Sequence, residues 1–227
     1  MAKSIYTSLK SYLLSSVPFR LGRDEKGVAA IEFAIIAPIM IMMYYGMAEI
    51  AAAISVDRQI SHSANVAGDL STQSESISAA EMSQIMTATM MVMDIGEGVK
   101  VNGVKKKESI TIEIASYARD IDGAIVERGV ATLKGTEGED LPEFNAEDLD
   151  DRILSDSSGV VVARVNYKYE TLNLRYLPTS ISLSEVFMLK PRKSANVDIV
   201  DSSGSTDYNC GFSGSGGKVE CSPSGST

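Results

Sequence analysis

Hydrophobic and polar positions follow four successive patterns along this chain, and each pattern predicts an element. The first is an unbroken apolar run. From Phe33 to Ala48 there is no charged residue, and between Val28 and Val56 the only charges are Glu32 and Glu49, one near each end. Roughly 20 apolar residues in a helix cross a bilayer core of about 30 Å, so residues 28–56 are long enough to span with both carboxylates near the boundaries. Pro38, inside the run, removes one backbone donor and crowds the preceding turn, which predicts a bend.

The second pattern is a one-sided stripe. Val56, Ile60, Ala64, Ala67 and Leu70 recur at spacings of three and four, with Ser61, His62, Ser63 and Asn65 on the other faces, so the helix continues beyond the span. Polar Ser71-Thr72-Gln73-Ser74 breaks it. Ser78 and Glu81 then form a capping-box pair ahead of Met82, Ile85, Met86, Met90 and Met93, which predicts a second amphipathic helix ending near Gly96. The methionine stripe has ordinary amphipathic spacing and reads as core, lying on a sheet.

Period-two alternation supplies that sheet. Ile110, Ile112 and Ile114 alternate with Thr111 and Glu113, Asp122-Gly123 signals a turn, and Ile125 to Leu133 returns as a partner. Val160 to Tyr169 is the strongest strand, with Val161, Ala163, Val165, Tyr167 and Tyr169 on one face and Arg164, Asn166 and Lys168 on the other. Ile181 to Leu189 and Asn196 to Val200 are weaker strand candidates. The expected fold is α+β: an N-terminal transmembrane helix continuing into a juxtamembrane helix, then a second amphipathic helix packed on a mainly antiparallel sheet.

The fourth pattern lacks periodicity. Glu137, Glu139, Asp140, Glu143, Glu147, Asp148, Asp150 and Asp151 make an acidic stretch that reads as a solvated loop with one or two helical turns after Asn145; no EF-hand spacing with its central Gly is present. From Asp201 onward Ser and Gly dominate, and this composition predicts a mobile tail apart from a loop closed by Cys210 and Cys221.

Charge adds direction and narrows the partners. Lys3, Lys10, Arg20, Arg23 and Lys26 precede the apolar run, whereas Arg58 is the only cation after it until Lys100, so the positive-inside rule places the N-terminal segment in the cytoplasm and the rest outside. The two cysteines then lie where oxidation is expected and pair as a disulfide. A formal net charge of -9 with scattered basic residues argues against nucleic acid as a partner.

Lys26-Gly27-Val28-Ala29-Ala30-Ile31-Glu32 has the arrangement with which a type IV prepilin begins: a basic segment, Gly, four uncharged residues, Glu, then an apolar helix. Continuing through Phe33-Ala34-Ile35-Ile36-Ala37-Pro38 and Gly46-Met47-Ala48-Glu49, the stretch resembles the TadE-like family of the tight adherence (Tad) pilus system, over about residues 23 to 70. The resemblance implies a minor pseudopilin or assembly component of a Tad/Flp-type pilus and secretion machine, contributing to adherence or biofilm formation. It implies a bacterial inner-membrane, single-pass protein, with its C-terminal domain in the periplasm or, after processing, in or on the pilus. Its partners would be the lipid bilayer, a prepilin peptidase cutting between Gly27 and Val28, other pilins and the Tad inner-membrane assembly proteins. Glu32 would serve assembly by helix pairing.

On this reading residues 1–27 are a cytoplasmic leader, 28–56 the transmembrane helix and 57–96 a helical periplasmic segment. Residues 97–200 form a β-rich periplasmic domain and 201–227 a Gly/Ser-rich tail with a disulfide loop. The alternative is a signal-anchored periplasmic binding or sensor module with no role in a filament. A secreted hydrolase cut near Ala51-Ala52-Ala53 is a further rival, disfavoured by the length of the segment and by missing motifs. His62 is the sole histidine and sits on the juxtamembrane helix, no phosphate loop or metal-ligand spacing occurs, and no carboxylate pair stands out. The sequence therefore predicts neither catalytic residues, nor a cofactor, nor a metal.

Overall fold

The computed structural model describes residues 27–93, 100–101, 104–105, 109–142, 144–146, 149, 152–154, 158–171, 180–200, 204–213 and 218–224. Two compact units divide the chain within its first helix, one ending at Ile50 and the other beginning at Ala51. Helix α1 runs unbroken from Val28 to Ser71 with Pro38 inside it. Its N-terminal part, with Gly27 before it, is all that is described of the first unit.

The second unit is built on a six-stranded sheet. α1 closes at Ser71, where the Ser71 and Thr72 hydroxyls donate to the carbonyls of Ala67 (2.7 Å) and Asp69 (2.9 Å). The Thr72 bond satisfies one of the carbonyls that a helix end leaves without a partner. Strand β1 (Ser76–Ile77) leads into helix α2 (Ala79–Val92), whose Ser78 and Glu81 form the reciprocal capping box that the sequence predicts. α2 ends at Val92, short of Gly96, and residues 94–99 lie outside the described set. Short β2 (Lys100–Val101) and β3 (Val104–Lys105) pair with each other.

The main strands are β4 (Ile110–Arg119), β5 (Ile125–Lys134), β6 (Gly159–Glu170), β7 (Ser180–Leu189), β9 (Asp207–Ser213) and β10 (Lys218–Pro223), in the order β10-β9-β5-β4-β6-β7. All neighbours are antiparallel except β5 and β9. The expected strand at Asn196 to Val200 contracts to β8 (Asp198–Ile199), which pairs in parallel with β1 and is not part of the main sheet.

One face of the sheet carries the main core. Ile112, Ile114, Leu133, Val161, Ala163 and Val165 meet Ile60, Ala64 and Ala67 of α1 and the methionine stripe of α2. Each of these elements is amphipathic and cannot cover its own apolar side, so the stripes and the alternating strand face close on one another. The same cluster takes in Tyr208, Cys210 and Val219.

That last fact corrects the mobile-tail expectation. Residues 207–213 and 218–223 are ordered strands, because Tyr208, Cys210 and Val219 put an alternating apolar side among the Gly and Ser residues and find a sheet edge to join. Composition averaged over the tail conceals this period.

A glycine marks the tightest crossing. The β4–β5 register shifts between Ser116 and Tyr117, where Ser116 pairs with Gly129 and Tyr117 with Glu127, leaving Arg128 as the extra residue of a bulge. Gly129 has φ +136°, and a Cβ there would collide with the Ile199 carbonyl and lie 2.8 Å from the Thr206 carbonyl. Both obstacles are backbone, so neither rotates away. Gly129→Ala should therefore destabilise the second unit by about 3 kcal/mol or more, whereas Gly211→Ala, where a Cβ meets open space, should stay within about 1 kcal/mol of the parent. Urea midpoints followed by tyrosine circular dichroism will separate the two; equal midpoints would remove the crossing as a constraint.

Candidate assembly surface

The apolar part of α1 has the composition of a core and the exposure of a surface. Phe33 is 68% exposed, Tyr44 77% and Met47 69%, and Ile31, Ile35 and Ile41 are each more than 60% exposed. None of the most apolar stretch is buried, and among the described residues this is the one helix long and apolar enough to cross a membrane. A soluble monomer does not leave a continuous apolar surface of this size to water. The helix points to a membrane-anchored, single-pass protein.

Two glycines of α1, and the one that precedes it, differ in their surroundings. At Gly68 a Cβ would meet the end of the Leu189 side chain of β7 and lie 3.6 Å from that of Ala163, so α1 packs closely on the sheet there and Leu189 would have to turn aside for a larger residue. At Gly46 and Gly27 a Cβ would meet nothing within 4 Å. Nothing among the described residues demands glycine at either position.

Gly27, Val28 and Glu32 all lie at the start of α1, and all three are exposed. Gly27 immediately precedes the first helical residue, Val28, and Glu32 follows one turn later on the same side of the helix. Glu32 has no hydrogen-bond or ion-pair partner among the described residues. Glu49, at the far end of the run, is buried.

Cys210 and Cys221 belong to the other unit and have no part in that constellation. They sit directly opposite each other on β9 and β10, 4.0 Å apart at Cα, and are joined by a disulfide. Closing so short a loop stabilises by about 2 to 3 kcal/mol in the chain-entropy account.

The acidic stretch does more than face water. Glu137, Glu139 and Asp140 are exposed, but Leu149 and Leu154 bury against Ala115, Tyr117, Val160 and Val162 on the second face of the sheet, with Phe144 packed beside them. Arg164 ties the stretch down: its Nε donates to Glu113 Oε1 at 3.0 Å, its Nη1 donates to the Pro142 carbonyl, and its guanidinium lies 5.4 Å from the Phe144 ring centroid. Arg164 is buried and Glu113 half-buried, so removing the carboxylate alone strands a buried guanidinium. Sequence reasoning missed this cover, although Phe144, Leu149, Ile153 and Leu154 are its signal. Among the described residues no group of His, Cys, Asp and Glu is placed to hold a metal ion.

Residues 27–69 match the family model described as TadE-like protein. The match covers α1 almost from end to end and none of the sheet. No curated protein and no solved structure matches the chain.

Electrostatics on the second face yields a test. Burial, then the carboxylates of Glu127 and Glu113, push the Tyr117 hydroxyl up to about 12, against an opposing pull from Arg164. Burial, then Asp207 and Glu113, likewise raise the Glu127 carboxyl, which Tyr117 partly offsets by donating a hydrogen bond to it. A raised tyrosine value means that the folded state holds its proton at a pH where the unfolded chain has lost it. The contribution is complete below about pH 10 and disappears as pH rises towards about 12. Tyr117→Phe should lower stability near neutrality by about 1 kcal/mol and flatten the fall above pH 10, leaving the part due to Tyr167, also raised by burial. Parallel pH profiles for parent and variant would show that Tyr117 titrates normally.

Proposed function

We propose that this chain is a minor pseudopilin or assembly component of a Tad/Flp-type pilus and secretion machine. A prepilin peptidase cuts it between Gly27 and Val28. It is held in a bacterial inner membrane by α1 with its C-terminal domain in the periplasm, works with other pilins and the inner-membrane assembly proteins, and contributes to adherence or biofilm formation. The observation that carries this reading is the start of α1: an exposed apolar helix that begins immediately after Gly27 and bears the exposed Glu32 carboxylate one turn in. The TadE-like match over the same residues supports it.

The chemistry follows from what the cut creates. Hydrolysis of the Gly27–Val28 peptide bond leaves an ammonium at Val28, on a helix whose surroundings are apolar. A charge held in hydrocarbon without a partner costs several kcal/mol. The Glu32 carboxylate of a neighbouring copy or another pilin neutralises it, which favours side-by-side packing of the helices in one register. Gly46, with open space around it, lets a neighbouring backbone approach.

Coexpression with a prepilin peptidase should reduce the intact mass by residues 1–27, and Gly27→Glu should abolish that change. Glu32→Ala and Glu32→Gln should be cut normally yet fail in pilus-dependent adherence, since loss of one partner of a buried pair typically costs about 3 to 5 kcal/mol. Glu32→Asp should retain partial function. A mature chain that begins at Met1, or after Ala51 to Ala53, would end the pseudopilin reading.

A further inference from the structure

The second unit begins where the bilayer ends. A bilayer core of about 30 Å takes roughly 20 helical residues, so a span that starts between Val28 and Phe33 ends between about residues 48 and 53. Tyr44 and Tyr45, both exposed, lie just inside that limit, at the depth where tyrosine rings reach the headgroup layer. The second unit starts at Ala51. No stalk separates the bilayer boundary from the folded unit, and the end at which α1 enters it abuts the headgroups.

The packing of α1 identifies that end. Gly68 lies against Leu189 of β7 and Ala163 of β6, and the Arg192 amide donates to the Thr72 carbonyl at 3.1 Å, so the C-terminal end of α1 sits where β7 finishes. Ala53 and Val56 pack against the same core. α2 takes the β10 side of that sheet face, where its Thr87 and Ser83 hydroxyls accept from the Val219 amide at 3.2 Å and the Cys221 amide at 3.0 Å and close that edge. α1 therefore runs along β6 and β7, and the lengths agree: about 25 Å from Ala51 to Gly68 and about 27 Å from Ile181 to Leu189. The bilayer end of the unit is where β7 begins, β6 ends and β4 begins.

At that end the β2–β3 hairpin joins α2 to β4. The Lys168 amide donates to the Ser109 carbonyl at 2.9 Å, and Lys105, four residues before Ser109, lies at most about 14 Å from it along the chain. In the hairpin Lys100 is directly opposite Lys105, and Val101 directly opposite Val104. The period of two puts the lysines on one face and the valines on the other. Two like charges directly opposite destabilise a strand pair, and an anion bound between them removes the penalty. In sequence, residues 100–107 hold four lysines and no carboxylate, in a chain whose formal net charge is -9.

We propose that the β2–β3 hairpin lies on the headgroup layer of the bilayer that α1 crosses, with Lys100 and Lys105 facing the phosphates of anionic phospholipids. The charges are complementary, the tether keeps the hairpin within reach of the surface, and several lysines close to a membrane add their attractions. With this contact made, the second unit is attached to the membrane at two points, and lipid charge sets its tilt over the surface. The inference rests on the membrane anchoring of the chain, and not on its processing or on a pilus.

The test uses the full chain in phosphatidylcholine vesicles, with and without about 30% phosphatidylglycerol, and follows acetylation of each lysine by an uncharged ester with peptide mass spectrometry. Lys190 and Lys193, exposed beyond the far end of β7, are the references. Lys134, exposed at the bilayer end but paired with Asp140 at 2.5 Å, reads the surface potential without the contact. Phosphatidylglycerol should slow acetylation of Lys100 and Lys105 at least about threefold and leave Lys134, Lys190 and Lys193 within about 1.5-fold; about 0.5 M salt should abolish the difference by shortening the Debye length to about 4 Å. Equal rates at Lys100 and Lys105 in both vesicles, slowing at Lys134 as large as theirs, or the same protection from about 10 mM inorganic phosphate in phosphatidylcholine alone would each overturn the proposal. Flotation of the vesicles before labelling reads the anchoring separately. A chain that does not float overturns the anchoring and the contact together, whereas one that floats without slowing at Lys100 and Lys105 overturns the contact alone.

Discussion

A helix that is apolar on every face cannot be satisfied by its own chain. Up to about Ile50, α1 exposes large side chains all round, and only lipid or the helices of other proteins can cover them. From Ala53 onward the same helix is apolar on one side, and that side closes on the β6 and β4 strands of its own sheet. One continuous element therefore obeys two solvent rules in succession. The whole division of the chain into an anchoring part and a folded part follows from where the stripe narrows.

Within the folded part, the sheet buries both of its faces by different means. Helices with strong 3.6-residue periodicity cover one face. A charged, aperiodic segment covers the other with a few apolar residues and a buried Arg164–Glu113 pair. The second cover is the weaker construction, since a buried ion pair adds constraint more than net stability. It is also where Tyr117 and Glu127 sit with raised proton affinities.

Much of this was legible in the sequence because the elements repeat a pattern often enough to be read. The methionine stripe behind Ser78, the alternation at Ile110 to Ile114, the strand at Val160 to Tyr169 and the apolar run after Gly27 each carry several concordant positions. The failures share a cause. Tyr208, Cys210 and Val219 are three apolar positions among many Ser and Gly, and Phe144, Leu149 and Leu154 are diluted by carboxylates, so composition outweighed period in both places. The pairing of α2 hydroxyls with β10 amides was not readable at all, because it joins residues more than 130 positions apart whose types are ordinary on a helix surface.

The sheet order has a consequence for timing. β9 and β10 follow every other element in the chain, yet β9 inserts in parallel beside β5 and β10 is the strand that α2 seals. Such non-local contacts are slow to form and cannot begin until the late segments are available. A chain made from its N-terminus therefore holds α2 and four strands of the main sheet while part of their common core is still missing. Until the cysteine hairpin arrives, the β5 edge and one side of α2 stay bare. The strand pair that carries the disulfide is therefore also the piece that completes the core.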